Sequence, residues 1–242
     1  MMDKTNGFSS ITAVILAGGL GTRLRSVVTD RPKVLVPVQG KPFITYLLDQ
    51  LAKVGIEDVI LCTGYLGEQV KAALGNTYGS LRLVYSQEKE LLGTGGALRL
   101  ALPLIKVGPV LVMNGDSYCE ADLQIFWRQH QATHADVSLL LIPLPDTRRY
   151  GRVEVEENGS ILRFKEKGQS TSAGWINAGI YLLSRLFLHA IPAGQAISLE
   201  KEVFPAWIGR GLYGFPSSGS GGRFLDIGIH EDYAIAEEFF HP

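Results

Sequence analysis

The sequence predicts an α/β fold: a mostly parallel, Rossmann-like sheet covered by helices on both faces, with an antiparallel extension. Three observations predict it. Apolar runs of strand length alternate with segments at helical spacing through the first half of the 242-residue chain. A glycine-rich loop follows the first of those runs. After Asp136 the pattern changes to short strands around an Asn158–Gly159 turn, a hairpin signal.

In chain order, 11–17 is a continuous apolar run of strand length. Residues 42–53 carry Phe43, Tyr46, Leu47, Leu48 and Leu51 at helical spacing, closed by Gly55. A strand is expected at 58–63, a short helix at 68–74, a strand at 81–85, a helix at 95–102 and a strand at 110–113 that ends in Asn114-Gly115-Asp116. Apolar strands separated by amphipathic helices imply a parallel sheet buried on both faces. The second half reads as strands at 137–142, 151–155, 161–164 and 179–183, a helix at 198–208, a short strand at 223–226 and a helix at 231–240. No linker rich in Pro, Ser or charge separates the halves. One domain is therefore expected, in two halves, 11–135 and 136–230.

Composition narrows the function. Hydrophobic residues make up 46% of the chain, enough for a substantial core. The formal net charge of -1 argues against a nucleic-acid backbone or an anionic membrane as partner, since both reward a basic excess. Two cysteines, Cys62 and Cys119, form no CxxC pair and read as core thiols of a reducing compartment. Residues 1–10 lack the apolar core of a signal peptide. The longest apolar run, 137–144, is far short of the ~20 residues that span a bilayer. A soluble cytoplasmic protein is expected, and a homo-oligomer is left open.

The sharpest motif is Leu16-Ala17-Gly18-Gly19-Leu20-Gly21-Thr22-Arg23-Leu24. Glycines let the backbone bring its N–H groups close to a polyanion, and a parallel sheet places ligands at strand carboxyl ends, where this loop lies. It is not a Walker A loop, and Leu24 stands where a dinucleotide fingerprint needs glycine. Arg23 offers a planar fork to phosphate, and Lys33, on a segment stiffened by Pro32, adds a compact charge over the same place.

Gly18 to Arg23 followed by Pro32-Lys33 resembles the signature of the sugar-phosphate nucleotidyltransferases, and the resemblance runs from Ile11 to about Tyr233. Ser26-Val27-Val28, Lys41-Pro42-Phe43 and Phe224-Leu225-Asp226-Ile227-Gly228 resemble its D-glycero-α-D-manno-heptose 1-phosphate guanylyltransferase branch. The resemblance implies the nucleotide-diphospho-sugar transferase-like fold, transfer of a nucleoside monophosphate to a sugar 1-phosphate, and release of pyrophosphate. Arg23, Lys33 and Asp116 are then catalytic. Leu16, Ala17, Gly18, Gly19, Gly21, Thr22, Arg23, Glu88, Gly93 and Thr94 bind the nucleotide. Mg²⁺ is held by Asp116 and Asp226, and Mg²⁺ suits sites with one or two carboxylates plus phosphate oxygens. Gly151, Glu166, Lys167, Asn177 and Gly179 match positions around the sugar phosphate; Gly168 stands where the family usually has proline after Glu-Lys.

Glu88 occupies a base-reading position. A carboxylate accepts from both N1–H and N2–H₂ of guanine, which favours GTP. Gly93, Gly95 and Gly96 are expected to let the backbone pass close to the base. Alternatives stay open at this stage. They are a mannose 1-phosphate guanylyltransferase, a uridylyl- or thymidylyltransferase, an inactive nucleotide-sugar-binding regulator and an NAD(P)-binding oxidoreductase.

Overall fold

The computed structural model describes residues 8, 11–19, 31–106, 108–166, 168, 172–217, 223–228 and 230–241. Strand β1 (Thr12–Leu16) is followed by a 3₁₀ turn at Lys33–Leu35 and a small ribbon, β2 (Pro37–Val38) with β3 (Lys41–Pro42). Then come α1 (Ile44–Lys53), β4 (Asp58–Thr63), α2 (Gly67–Leu74), β5 (Thr77–Tyr78), β6 (Leu81–Gln87), α3 (Gly93–Ala101) and β7 (Val110–Asn114). Strand β8 (Ser117–Cys119) and α4 (Leu123–Thr133) lead into β9 (Val137–Leu144), β10 (Arg152–Val155), β11 (Ile161–Lys165) and β12 (Gly174–Leu183). The chain continues through α5 (Arg185–Ala190), a π turn at Leu199–Val203, α6 (Phe204–Ala206), β13 (Leu212–Pro216), β14 (Phe224–Asp226) and α7 (His230–Phe239).

The main sheet runs β11-β10-β12-β7-β1-β4-β6-β5, with β9 paired to β12 and β13 paired to β9. Strands β7, β1, β4 and β6 are parallel neighbours. Strand β12 joins β7 antiparallel, so the second half extends the first half's sheet. Alternation along each strand feeds two cores. Ala13 and Ile15 of β1 pack with α1, α4 and α7, whereas Val14 packs with α3 and α5. This is the period-two pattern of a sheet buried on both faces. Successive connections run from β1 to β4 on one side and, by way of β6, to β7 on the other. That reversal opens a crevice beyond the carboxyl ends of β1 and β7, the usual ligand position in such sheets.

Some elements differ from expectation. The sequence reading placed nothing between Asp116 and Asp136, yet α4 lies there. Leu123, Phe126, Trp127 and His130 form its buried stripe, and Asp122 caps it by accepting from the N–H groups of Gln124 and Ile125. The helix expected at 198–208 is instead a π turn followed by one α turn. Pro205 lies there and has no N–H to continue the ladder. Strand β13 was not anticipated either.

Candidate active site

Three elements converge at the crevice. The first is the end of β1, whose Leu16 lies level with Asn114 of β7 and whose carbonyl accepts from Gly115 N at 2.9 Å. The second is the 3₁₀ turn carrying Lys33, fixed by Pro32 before it and by the buried Val34. The third is the ribbon β8–β14, whose register sets Asp226 opposite Ser117, next to Asp116. Ile227 N also donates to Asp116 O at 3.0 Å, closing that corner.

The result is a compact charge cluster. Lys33 Nζ donates to Asp116 Oδ2 at 2.7 Å and lies 3.9 Å from Asp226 Oδ1. Asp226 Oδ1 accepts from Gly228 N at 2.7 Å, and Ser117 Oγ lies 3.3 Å from Asp116 Oδ1. Two members of the cluster, Lys33 and Asp116, line a cavity of about 420 Å³ together with Gly18, Gly19, Glu88 and Thr94.

The donor set fits a divalent cation. Two carboxylates from separate elements already share one positive group, and a side chain at Gly228 would collide with both Lys33 Nζ and Asp226 Oδ1. Among the described residues no cluster of three or more His, Cys, Asp or Glu accompanies them. A metal here would complete its shell with phosphate oxygens and water, as Mg²⁺ does.

Glu88 lines the same cavity. It is 9% exposed, accepts from Leu92 N at 3.0 Å, and is pressed between Gly18 and Gly64. A Cβ at either glycine would approach Glu88 Oε1 to 2.8 or 2.7 Å. Burial pushes the Glu88 carboxyl above its ordinary range, partly offset by the Leu92 N–H.

The match to known proteins decides the class. The family model described as "Nucleotidyl transferase" matches residues 12–241. The chain belongs to the nucleotidyl transferase family. It is 38% identical over 227 residues to a D-glycero-alpha-D-manno-heptose 1-phosphate guanylyltransferase of Aneurinibacillus thermoaerophilus, covering 93% of this chain and 96% of that one. It is 36% identical to a mannose-1-phosphate guanylyltransferase of Mycobacterium tuberculosis, covering 92% of this chain but 62% of that protein. The crystal structure of HddC from Yersinia pseudotuberculosis complexed with GMP-PN superposes with a TM-score of 0.82 at 32% identity, over 96% of this chain and 100% of that one. Among the described residues no helix is long and apolar enough to cross a membrane.

Within this nucleotidyltransferase the other expected residues fall into four groups. Leu16, Ala17, Gly18, Gly19, Lys33, Glu88, Gly93, Thr94 and Asp116 all line the cavity. Gly21, Thr22, Arg23 and Lys167 lie outside the described residues. Glu166 is exposed just beyond β11, and neither it nor Gly151 is part of the cavity lining.

Asn177 and Gly179 form a bulge in β12, where the pairing register with β9 shifts. Gly179 has φ +74°, and Asn114 lies directly over it, so a side chain there would be both strained and obstructed. Asn177 is engaged internally. Its carbonyl accepts from Gly179 N at 2.9 Å and its amide donates to Tyr181 OH at 3.0 Å.

The glycines of α3 also make a close approach within the protein. A Cβ on Gly93 would lie 2.6 Å from Ile197 O, and one on Gly96 would lie 2.5 Å from Gln195 O. Gly95 N donates to Ile197 O at 2.9 Å. Their close approach is to the 195–197 backbone, which packs on the start of the helix.

That packing delivers Glu200, a residue the sequence reading missed. Thr94 Oγ1 donates to Glu200 Oε2 at 2.8 Å and accepts from Leu199 N at 2.8 Å. Tyr181 OH donates to Glu200 Oε1 at 3.2 Å. That bond uses the one proton of the Tyr181 hydroxyl. Both asparagines must then present their NH₂ groups to Tyr181, Asn114 at 3.3 Å and Asn177 at 3.0 Å. In the sequence this network shows only as Tyr181 in an apolar strand with Asn177 four residues before it.

Proposed function

We propose that this nucleotidyltransferase joins the GMP unit of GTP to a sugar 1-phosphate, with D-glycero-α-D-manno-heptose 1-phosphate as best candidate, giving a GDP-sugar and pyrophosphate with Mg²⁺ as metal. The observation that carries the reading is the Lys33–Asp116–Asp226 cluster, of which Lys33 and Asp116 line a cavity also lined by glycines. Such a site concentrates positive charge and metal ligands where two anionic phosphates must meet. The likeness to heptose 1-phosphate guanylyltransferases over nearly the whole of both chains supports the sugar. The mannose-1-phosphate enzyme is the second reading, and this chain spans 62% of its length.

An oxygen of the sugar phosphate attacks the α-phosphorus of GTP in line, the α–β phosphate bond breaks, and pyrophosphate leaves. The nucleophile is already anionic, so no general base is needed. Asp116 and Asp226 would hold Mg²⁺, which when bound would neutralise charge on the reacting phosphates. Lys33 brings a second cation to the same phosphates, and Gly18 and Gly19 present backbone to them. Arg23 grips the triphosphate bidentately. Glu88 accepts from the guanine edge. Gly151, Glu166, Lys167, Asn177 and Gly179 surround the sugar phosphate. Catalysis then rests on positioning and charge neutralisation.

The test pairs GTP, ATP, UTP and dTTP with heptose, mannose and glucose 1-phosphates in Mg²⁺ and reads pyrophosphate release. GTP with the heptose phosphate should give the highest kcat/KM, and a chelator should abolish it. Preference for UTP or dTTP overturns the base assignment. No turnover with any pair favours an inactive nucleotide-sugar-binding protein.

A further inference from the structure

We propose that Lys33 is a built-in counter-cation of the Asp116–Asp226 pair, which a divalent cation must displace, so that metal binding and phosphate binding are coupled through one ammonium group. The inference rests on the reading of those two aspartates as the metal ligands. Two carboxylates converging from separate elements repel each other unless a positive charge stands between them, most strongly where water is scarce. Lys33 supplies that charge. Its side chain is 10% exposed, Nζ is 2.7 Å from Asp116 Oδ2 and 3.9 Å from Asp226 Oδ1, and the lack of a side chain at Gly228 leaves it room.

A metal ion using the same oxygens needs lone pairs that the ammonium now engages, and it brings two positive charges into contact with a third. Both effects drive Nζ out. Its backbone cannot follow, because Val34 is buried and Pro32 precedes the turn. The freed ammonium therefore swings on its stem within the cavity, which Lys33 lines together with Gly18 and Gly19. A triphosphate seated against those glycines attracts it there. Phosphate draws Lys33 off the carboxylates and opens the metal position; metal pushes Lys33 onto the phosphates. Coupling of this kind is reciprocal, each ligand tightening the other by one factor.

Mn²⁺ alone, followed by the electron paramagnetic resonance signal of the free ion, tests this without nucleotide or turnover. Lys33→Met should bind Mn²⁺ about tenfold more tightly than wild type, the common scale of coupling between two sites. Asp116→Asn and Asp226→Asn should bind it more weakly. A second measurement needs no variant of Lys33. Acetylation of Lys33 in the wild-type protein, read by mass spectrometry, should speed up several-fold when Mn²⁺ saturates the protein, as the ion-paired amine is released. Equal or weaker Mn²⁺ binding by Lys33→Met, or saturation with no change in Lys33 labelling, overturns the inference and leaves the two-aspartate site standing. No Mn²⁺ binding by wild type and by Lys33→Met alike overturns the two-aspartate site and the inference with it.

Discussion

Asp116 illustrates how a single atom change separates chemistry from folding. Its side chain is 37% exposed, and Asn would keep its shape while removing the charge that pairs with Lys33. Loss of one group that stabilises developing charge commonly lowers kcat by about 10²–10³. Asp116→Asn should show that loss in pyrophosphate release while its melting temperature stays close to wild type. A parallel collapse of both would make Asp116 a structural residue.

Glu88 makes a different prediction, because the role proposed for it is selectivity. Glutamine keeps an acceptor for Leu92 N–H but can no longer accept twice from a guanine edge. A bidentate base contact contributes roughly 1–3 kcal/mol of discrimination. Glu88→Gln should therefore cut the preference for GTP over ATP by about 10–100-fold in kcat/KM, and an unchanged ratio would move base recognition elsewhere. Both residues were legible in the sequence, Asp116 as the charge ending an apolar strand and Glu88 by its place in a recognised motif. Glu200 was not, since one acidic residue on an apparent helix face carries no mark of what it bonds.

At the scale of elements, α3 and β12 explain features that residue types alone misdirect. Alanine in place of a helical glycine ordinarily adds up to about 1 kcal/mol. Here the Cβ of Gly96→Ala would meet a backbone oxygen, Gln195 O, at 2.5 Å. Forcing atoms into a packed site costs about 1–3 kcal/mol, so strain wins over propensity. Gly96→Ala should melt lower than wild type, and a rise in melting temperature would refute this account of the packing. The triple glycine is expected from the sequence to let the backbone approach a base; the packing partner it meets in the fold, the 195–197 backbone, is about a hundred residues away in the chain. Local patterns hold no record of such a partner.

The same holds for Tyr181, whose ring is wholly buried and whose hydroxyl serves two asparagines and Glu200. Tyr181→Phe preserves the packing and leaves those polar groups short of a partner, at about 1–3 kcal/mol. It should lower the melting temperature by several degrees and raise KM for the sugar 1-phosphate more than it lowers kcat. A change in stability alone would confine the network to the fold.

Because β12 pairs with β7, one sheet passes through both halves of the molecule, and a local perturbation in either half should be felt as global stability. The sequence marked the change of strand pattern near Asp136 but not this junction, since strand pairing depends on partners some seventy residues apart. His130 offers the test. It lies on α4 against β9, 5% exposed, with Nδ1 2.7 Å from Ser138 Oγ and its ring stacked on Trp127. Desolvation pulls its pKa from an ordinary 6.5 to about 4, against the weaker opposite pull of Asp136.

In the unfolded chain the ring takes up a proton near pH 6.5, whereas in the folded protein it resists until about pH 4. Between those values the unfolded state binds more protons, so stability is complete above pH 6.5 and falls as pH drops through the window. At 1.36 kcal/mol per pKa unit the full effect is about 3 kcal/mol. Urea unfolding at pH 7 and at pH 4.5 should show one shared transition for both halves, with its midpoint lower in acid. His130→Gln, which keeps a hydrogen-bonding side chain and cannot take up the proton, should lose much of that difference. If the variant and the wild type decline in parallel, the acid sensitivity belongs to the carboxylates. If the halves melt separately, the continuous sheet does not couple them.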